Sequence, residues 1–202
     1  MTYQAFSHIL QKTETRSIKK NQVIYHEGDK PNGLYFIEAG IVGLFHISES
    51  GKETFLRVFG QNSIFGHRSY LASENYHGST IALTDIKIKH LSPKESETFF
   101  KEKPEALRAI TTELAQDLGK AEVRLAGIQD KTTNQRIAES LIFLKLKYPE
   151  KVWSRKEIAE YSCSSSESVT RFLTHCEDTE IIKKIGRDFE ILDQEKLLNL
   201  SH

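Results

Sequence analysis

At 202 residues, with 38% hydrophobic and 28% charged side chains, the chain is long enough for one or two domains that bury a core without disulfides. Its two cysteines, Cys163 and Cys176, exclude a disulfide framework or a four-cysteine cluster, and a formal net charge of +0 means that any charged partner must be met by local clustering. No run approaches the roughly 18 apolar residues that span a bilayer, and the opening MTYQAFSHILQKTETR lacks a basic start and an apolar segment, so a cytoplasmic protein with no membrane partner is expected.

Phe6, Ile9 and Leu10 predict a short helix over Tyr3 to Gln11, ended by Ser17 and the Lys19-Lys20-Asn21 turn. From Val23 the texture changes. Short apolar runs (Val23 to Tyr25, Leu34 to Ile37, Ile41 to Ile47, Thr54 to Phe59, Ser79 to Leu83, Ile86 to Leu91) alternate with Gly- and Asn-containing turns, which predicts an antiparallel barrel or sandwich. His67 and His77, with Tyr70 and Tyr76, flank one polar loop. Imidazole is a common metal ligand, but no carboxylate or thiolate accompanies these at ligand spacing, so a polar loop is the favoured reading and no metal is assigned.

Pro104 to Gln129 reads as a long helix. Leu107, Thr111, Leu114, Leu118, Ala121, Leu125 and Ile128 alternate at spacings of four and three, a heptad seam that predicts a partner helix, while Gly119 weakens it modestly. Packing on the chain's own N-terminal domain is the competing use of the same face. Asp130 to Thr133 is a polar break and a candidate hinge. A further helix follows over Gln135 to Lys147, with Ile137, Ala138, Leu141, Ile142, Leu144 and Leu146 apolar.

In WSRKEIAEYSCSSSESVTRFLTH, Trp153 to His175, Ser154 and Glu157 have capping-box spacing and start a helix. A second start falls at Ser164 or Ser165. Val169, Phe172 and Leu173 face inward at helical spacing, leaving Ser166, Glu167, Thr170 and Arg171 outward. Two short helices on a tight turn form a helix-turn-helix, whose second helix enters a DNA major groove. The run Ile181 to Leu192 is broken at Gly186 to Asp188 and predicts a hairpin with Lys183, Lys184 and Arg187 near its tip. Lys145, Lys147, Lys151, Arg155 and Lys156 lie close in sequence and would add a basic face; a solvated mixed surface is the alternative.

Ser154 to Ala159, Glu167, Val169 and Arg171-Phe172-Leu173, followed by the hairpin, resemble the winged-helix DNA-binding domain of the Crp/Fnr superfamily of bacterial transcription regulators. Glu27-Gly28-Asp29, Leu34 to Ile37, Gly40 and Phe65-Gly66 resemble that family's cyclic-nucleotide-binding β-roll, in the family's order, and Arg136-Ile137-Ala138 recurs after its dimer helix. The resemblance implies an α+β protein with a sensor β-roll over 1–103, a dimerisation helix over 104–130 and a winged helix-turn-helix over 131–202. It implies a homodimer on a palindromic duplex, with RNA polymerase and a small-molecule effector as further partners. The residues it assigns to DNA are Ser154, Ser165, Ser166, Glu167, Ser168, Thr170, Arg171, Lys183, Lys184 and Arg187.

Its ligand pocket falls on Gly66, His67, Arg68, Ser69, Gly78, Ser79 and Thr80. Cyclic-AMP binders of the family carry a glycine-glutamate pair and, later, an arginine before serine or threonine. Here His67 follows Gly66, and Gly78-Ser79-Thr80 has no arginine, so cyclic AMP is not expected, no cofactor is assigned, and Arg68 is left to serve a different anion. In the recognition helix the family shows a glutamate followed four residues later by arginine, as in Glu167 and Arg171. Ser166 stands where relatives reading an extra guanine have arginine, and Thr170 resembles the residue of those preferring thymine, which favours a TTGA-type half-site. The rival reading is a sensor or protein-interaction module whose helix-turn-helix has lost DNA; retarded duplex migration that disappears with salt separates the two. An enzyme is not expected, because no nucleophile-base-acid signature, phosphate loop or metal motif appears.

Overall fold

The computed structural model describes residues 2–199. Its elements begin with α1 (Thr2–Ala5), α2 (Ser7–Lys12), β1 (Thr15–Ile18), β2 (Val23–Tyr25), β3 (Leu34–Ala39), β4 (Val42–Ile47), β5 (Glu53–Phe59), β6 (Ile64–Phe65) and α3 (His67–Ala72). Next come β7 (Ser79–Ala82), β8 (Ile86–Leu91), α4 (Pro93–Glu102), α5 (Pro104–Asp130), α6 (Thr133–Lys147), α7 (Arg155–Ser162) and α8 (Ser166–Asp178). A hairpin of β9 (Ile182–Ile185) and β10 (Asp188–Ile191) and a last helix, α9 (Gln194–Asn199), complete the α+β fold. Two compact units result, one up to Ala121 and one from Glu122 onward, with the division falling inside α5.

The first unit holds two antiparallel four-stranded sheets, ordered β1-β8-β3-β6 and β2-β7-β4-β5. The run Leu34 to Ile37 is apolar throughout because β3 is covered on both faces. Tyr35 and Ile37 point into a core shared by both sheets, with Tyr25, Val42, Leu44, Phe59, Phe65 and Ile88. Leu34 and Phe36 point the other way, against Phe6, Leu10, Phe99, Ala106 and Ile110 from the helices, as the two-residue period of a strand requires. Gly40 turns the chain between β3 and β4 at φ +89°, and a Cβ there would lie 2.5 Å from the Asp85 carbonyl oxygen.

Three elements depart from the sequence reading. Thr15 to Ile18, expected to lie past a helix end, is an edge strand paired with β8 from Thr15↔Lys89 to Ile18↔Ile86; it has one half-buried apolar residue, and pairing rather than pattern makes it a strand. The loop around His67 contains the short helix α3, entered through Gly66 at φ +79°. The helix α4 had a readable start, since Ser92 and Glu95 form a reciprocal capping box with Pro93 in the first turn.

In the second unit, α6, α7 and α8 pack around Ile137, Ala138, Leu141, Leu144, Trp153, Ile158, Val169, Phe172 and Leu173, all buried. Helix α6 begins at Thr132, whose side chain accepts from the Gln135 amide while Gln135 reaches back to the Thr132 amide. The break after α5 is therefore a tight capped corner. Register Ile182↔Ile191 to Ile185↔Asp188 closes the β9-β10 hairpin, with Gly186 at φ +62° in the loop.

Candidate nucleic-acid interface

Ser154 caps α7: its oxygen accepts from the Glu157 amide at 3.2 Å, and a Glu157 carboxylate oxygen accepts from the Ser154 amide at 2.8 Å. The hydroxyl of Ser154 is thus engaged in capping. At the other end Cys163 takes a left-handed conformation, φ 54°, and Ser164 turns inward to donate to the Ser162 carbonyl at 3.2 Å. Ser165, not Ser164, is the N-cap of α8, accepting from the Ser168 amide at 3.1 Å. A consequence follows for Glu167. Its carboxylate is not a member of a capping box and stands exposed in the first turn of α8.

Ser166, Glu167, Thr170 and Arg171 are all exposed along α8, while Val169, Phe172, Leu173 and Cys176 are buried beneath them. Ser168 is half-buried. Thr170 donates its hydroxyl hydrogen back to the Ser166 carbonyl at 2.8 Å. Lys183, Lys184 and Arg187 are exposed on the hairpin, where Lys183 stands opposite Glu190.

The expected basic face loses two members. The Lys151 side chain is 3% exposed, donates to Glu157 at 2.7 Å and lies 4.4 Å from the Trp153 ring centroid. Lys145 donates to both Asp188 carboxylate oxygens at 2.8 Å and stands over the Phe189 ring, tying the hairpin to α6. Burial needs these charges paired, so both serve the fold. Lys147, Arg155 and Lys156 remain exposed, Lys156 beside Glu160 at 3.3 Å.

Residues 15–103 match the family model of the cyclic nucleotide-binding domain, and residues 135–200 match that of the Crp-like helix-turn-helix domain. The chain belongs to the Crp/Fnr family of sequence-specific DNA-binding transcription regulators. It is 33% identical over 106 residues to an uncharacterized protein of Haemophilus influenzae, covering 52% of this chain and 82% of that one. Similarity to the transcriptional activator protein Anr of Pseudomonas protegens is 23% identity over 195 residues, 92% of this chain and 80% of Anr. In fold it is similar to FixK2 of Bradyrhizobium japonicum, with a TM-score of 0.82 at 20% identity over 94% of this chain and 98% of that one.

The heptad seam of this Crp/Fnr chain divides. Leu107, Thr111, Leu118, Ala121, Leu125 and Ile128 are exposed, Leu118 and Leu125 by 60% and 62%. Leu114 instead packs, half-buried, against the roll's helix-side core beside Ala106 and Ile110. Among the described residues no helix is long and apolar enough to cross a membrane.

In the β-roll of this family member the hydroxyl of Ser69, a candidate pocket residue, donates to the Asn75 carbonyl at 3.2 Å and lies 3.5 Å from His77 Nδ1. His67, Ser69, Ser79 and Thr80 are buried, and Ser79 accepts from the Glu27 amide at 2.9 Å. A Cβ on Gly78 would lie 2.8 Å from the Phe45 carbonyl oxygen, which accounts for glycine there. Arg68 is exposed and paired with Glu74 at 2.8 Å. Burial, with the Arg57 charge next in weight, pushes the His67 imidazole down to about 4. Arg57 and Asp117, which sequence reasoning did not single out, form an ion pair beside it. No local pattern announces them: one is a charged residue of a strand, the other of a helix.

Proposed function

We propose that this regulator acts as a homodimer through α5, on a palindromic operator with TTGA-type half-sites, and that cyclic AMP is not its effector. The observation that carries the reading is the exposed pair Glu167 and Arg171, one helical turn apart on α8 over a buried Val169, Phe172 and Leu173. Arginine can donate two bonds to guanine O6 and N7, and a carboxylate accepts from cytosine N4. Because Thr170 gives its hydroxyl hydrogen to Ser166, its methyl is left as a contact for a thymine methyl. Lys183, Lys184 and Arg187 on the hairpin, with Arg155 and Ser165 at the two helix starts, supply backbone contacts.

The uncovered leucines of α5 support the dimer, which sets two recognition helices about one helical turn apart, roughly 10 base pairs centre to centre. His67 and Gly78 stand where cyclic-AMP binding needs an acid and an arginine, and the buried imidazole is held neutral. The capped corner at Thr132 joins α5 to the helices of the DNA-binding motif, so the state of α5 is passed to both recognition helices. In this reading the protein works in the cytoplasm and its bound dimer acts on RNA polymerase.

Selection from random duplexes tests it. A palindrome with TTGA-type halves is the expected product, and Arg171→Ala should cost about 1 to 3 kcal/mol while relaxing the guanine preference. No palindrome, or an unchanged preference in the variant, removes the assignment. Calorimetric titration with cyclic AMP should show no saturable heat.

A further inference from the structure

The cap of α7 is built from three side chains in series. Lys151, in the loop before the helix, is buried, and its ammonium has three neighbours: Glu157 Oε1 at 2.7 Å, the Val152 carbonyl at 3.3 Å and the Trp153 ring, with its centroid 4.4 Å away. An ammonium has three donors and no acceptor, so this one is spent inside the protein. The other Glu157 oxygen, Oε2, accepts from the Ser154 amide at 2.8 Å and from the Ser154 hydroxyl at 2.9 Å. Ser154, Arg155 and Lys156, which open the helix, are exposed, and Glu157 keeps 16% of its side chain in solvent. Capping by itself does not require the ammonium. At α6 the same reciprocal box is made by Thr132 and the neutral Gln135. Burying a lysine is costly unless its partner repays the lost hydration, and what Lys151 adds over a neutral box is charge compensation. Without it the carboxylate at the start of α7 would repel a phosphate that the helix dipole otherwise favours there.

We propose that Lys151 is a positioning residue for DNA binding: its buried ammonium holds the Glu157 carboxylate on the cap of α7 and cancels its charge, so that the first turn of the helix meets a backbone phosphate without a facing anion. Lys151 touches no DNA itself, because Glu157, Val152 and Trp153 enclose its ammonium, and it acts through Glu157. The proposal rests on the reading above that Arg155, at this helix start, contacts the DNA backbone. It concerns affinity for the backbone and leaves base recognition by Glu167 and Arg171 as it stands.

Duplex binding by the full chain tests this, with operator and unrelated sequence side by side across a salt series. Lys151→Met should weaken both about fivefold at low salt, because Glu157 is left charged near the backbone, and the deficit should shrink as salt screens the repulsion. The ratio of operator to unrelated binding should stay that of wild type. Adding Glu157→Gln to Lys151→Met should restore affinity to within about twofold, since a neutral box remakes the cap and no buried charge is left unpaired. Glu157→Gln alone keeps the ammonium, removes the anion and should strengthen binding to both duplexes, the opposite of what a lost cap would do. Emission from Trp153, the only tryptophan of the chain, tells folded variants from unfolded ones; if Lys151→Met does not fold, Glu157→Gln and the double variant decide. A deficit that salt leaves unchanged or that the second substitution does not repair, wild-type binding by Lys151→Met, or weaker binding by Glu157→Gln would overturn the proposal. Arg155→Ala separates the underlying reading: its affinity should fall on both duplexes with a salt slope smaller by about one. Wild-type binding in that variant would remove the backbone contact at α7 and the proposal with it, whereas the expected loss there beside an unaltered Lys151→Met would strike the proposal alone.

Discussion

The Arg124 guanidinium donates to the Tyr161 carbonyl oxygen at 2.6 Å and sits 4.6 Å from the centroid of that tyrosine's ring. One residue on, Arg136 Nε donates to the Ser162 carbonyl at 3.2 Å, and its Nη1 donates to Lys131 at 2.8 Å. The last carbonyls of a helix have no partners within it and form its negative end. Two arginines, from the last turns of α5 and the first of α6, satisfy that end of α7. The corner after α5 is thereby fixed to the first helix of the DNA-binding motif.

Arg124→Ala should therefore destabilise the second unit by about 1.5 to 3 kcal/mol, the range for hydrogen bonds to charged groups. Arg124→Lys should recover only part of this, since an ammonium lacks the planar fork that stacks on Tyr161. Denaturant unfolding of the full chain measures both; equal stability of wild type and the alanine variant would show the contact to be idle.

A second expectation concerns the hairpin. Asp188→Asn leaves the half-buried Lys145 ammonium without its carboxylate, and should loosen β10 from α6. In a double-mutant cycle with Lys145→Met the coupling should exceed about 0.5 kcal/mol. Additive losses would mean that the hairpin is held by Phe189 packing alone.

The α5 faces separate two effects. Replacing exposed Leu118 and Leu125 by lysine should yield monomers in sedimentation with the β-roll still folded. Leu114→Lys places a charge in the helix-side core and should lower the stability of the roll itself. A dimer that survives both exposed substitutions would rule out this seam.

Stability should fall in mild acid. His67 is pushed to about 4 in the folded chain, chiefly by burial, from its ordinary 6.5. Between those values the unfolded chain binds the extra proton, so the contribution is present in full above about 6.5. It is lost as pH drops toward about 4, by about 3 kcal/mol for this residue. His77 and His90 are lowered by burial too and act in the same direction. Unfolding midpoints across this range check it; His67→Gln should flatten the curve, and an unchanged slope would mean that His67 is not held neutral by the fold.

What the residues announced locally came through. The Ser154-Glu157 cap, the outward Glu167 and Arg171, the hairpin turning at Gly186 and the strand runs each depend on interactions spanning a few positions, where spacing alone constrains the backbone. The Ser92-Glu95 and Thr132-Gln135 caps are local signals of the same kind. Other features had no local signature. Thr15 to Ile18 became a strand because β8 lay beside it, and Leu114 left the seam because the roll offered a core. Lys151 and Lys145 look like members of a basic face until Glu157 and Asp188 are brought against them. Arg57 and Asp117 meet only when β5 and α5 do. A charge's role follows from the counter-charge and the burial that distant segments supply, and for these residues only tertiary contacts could decide it.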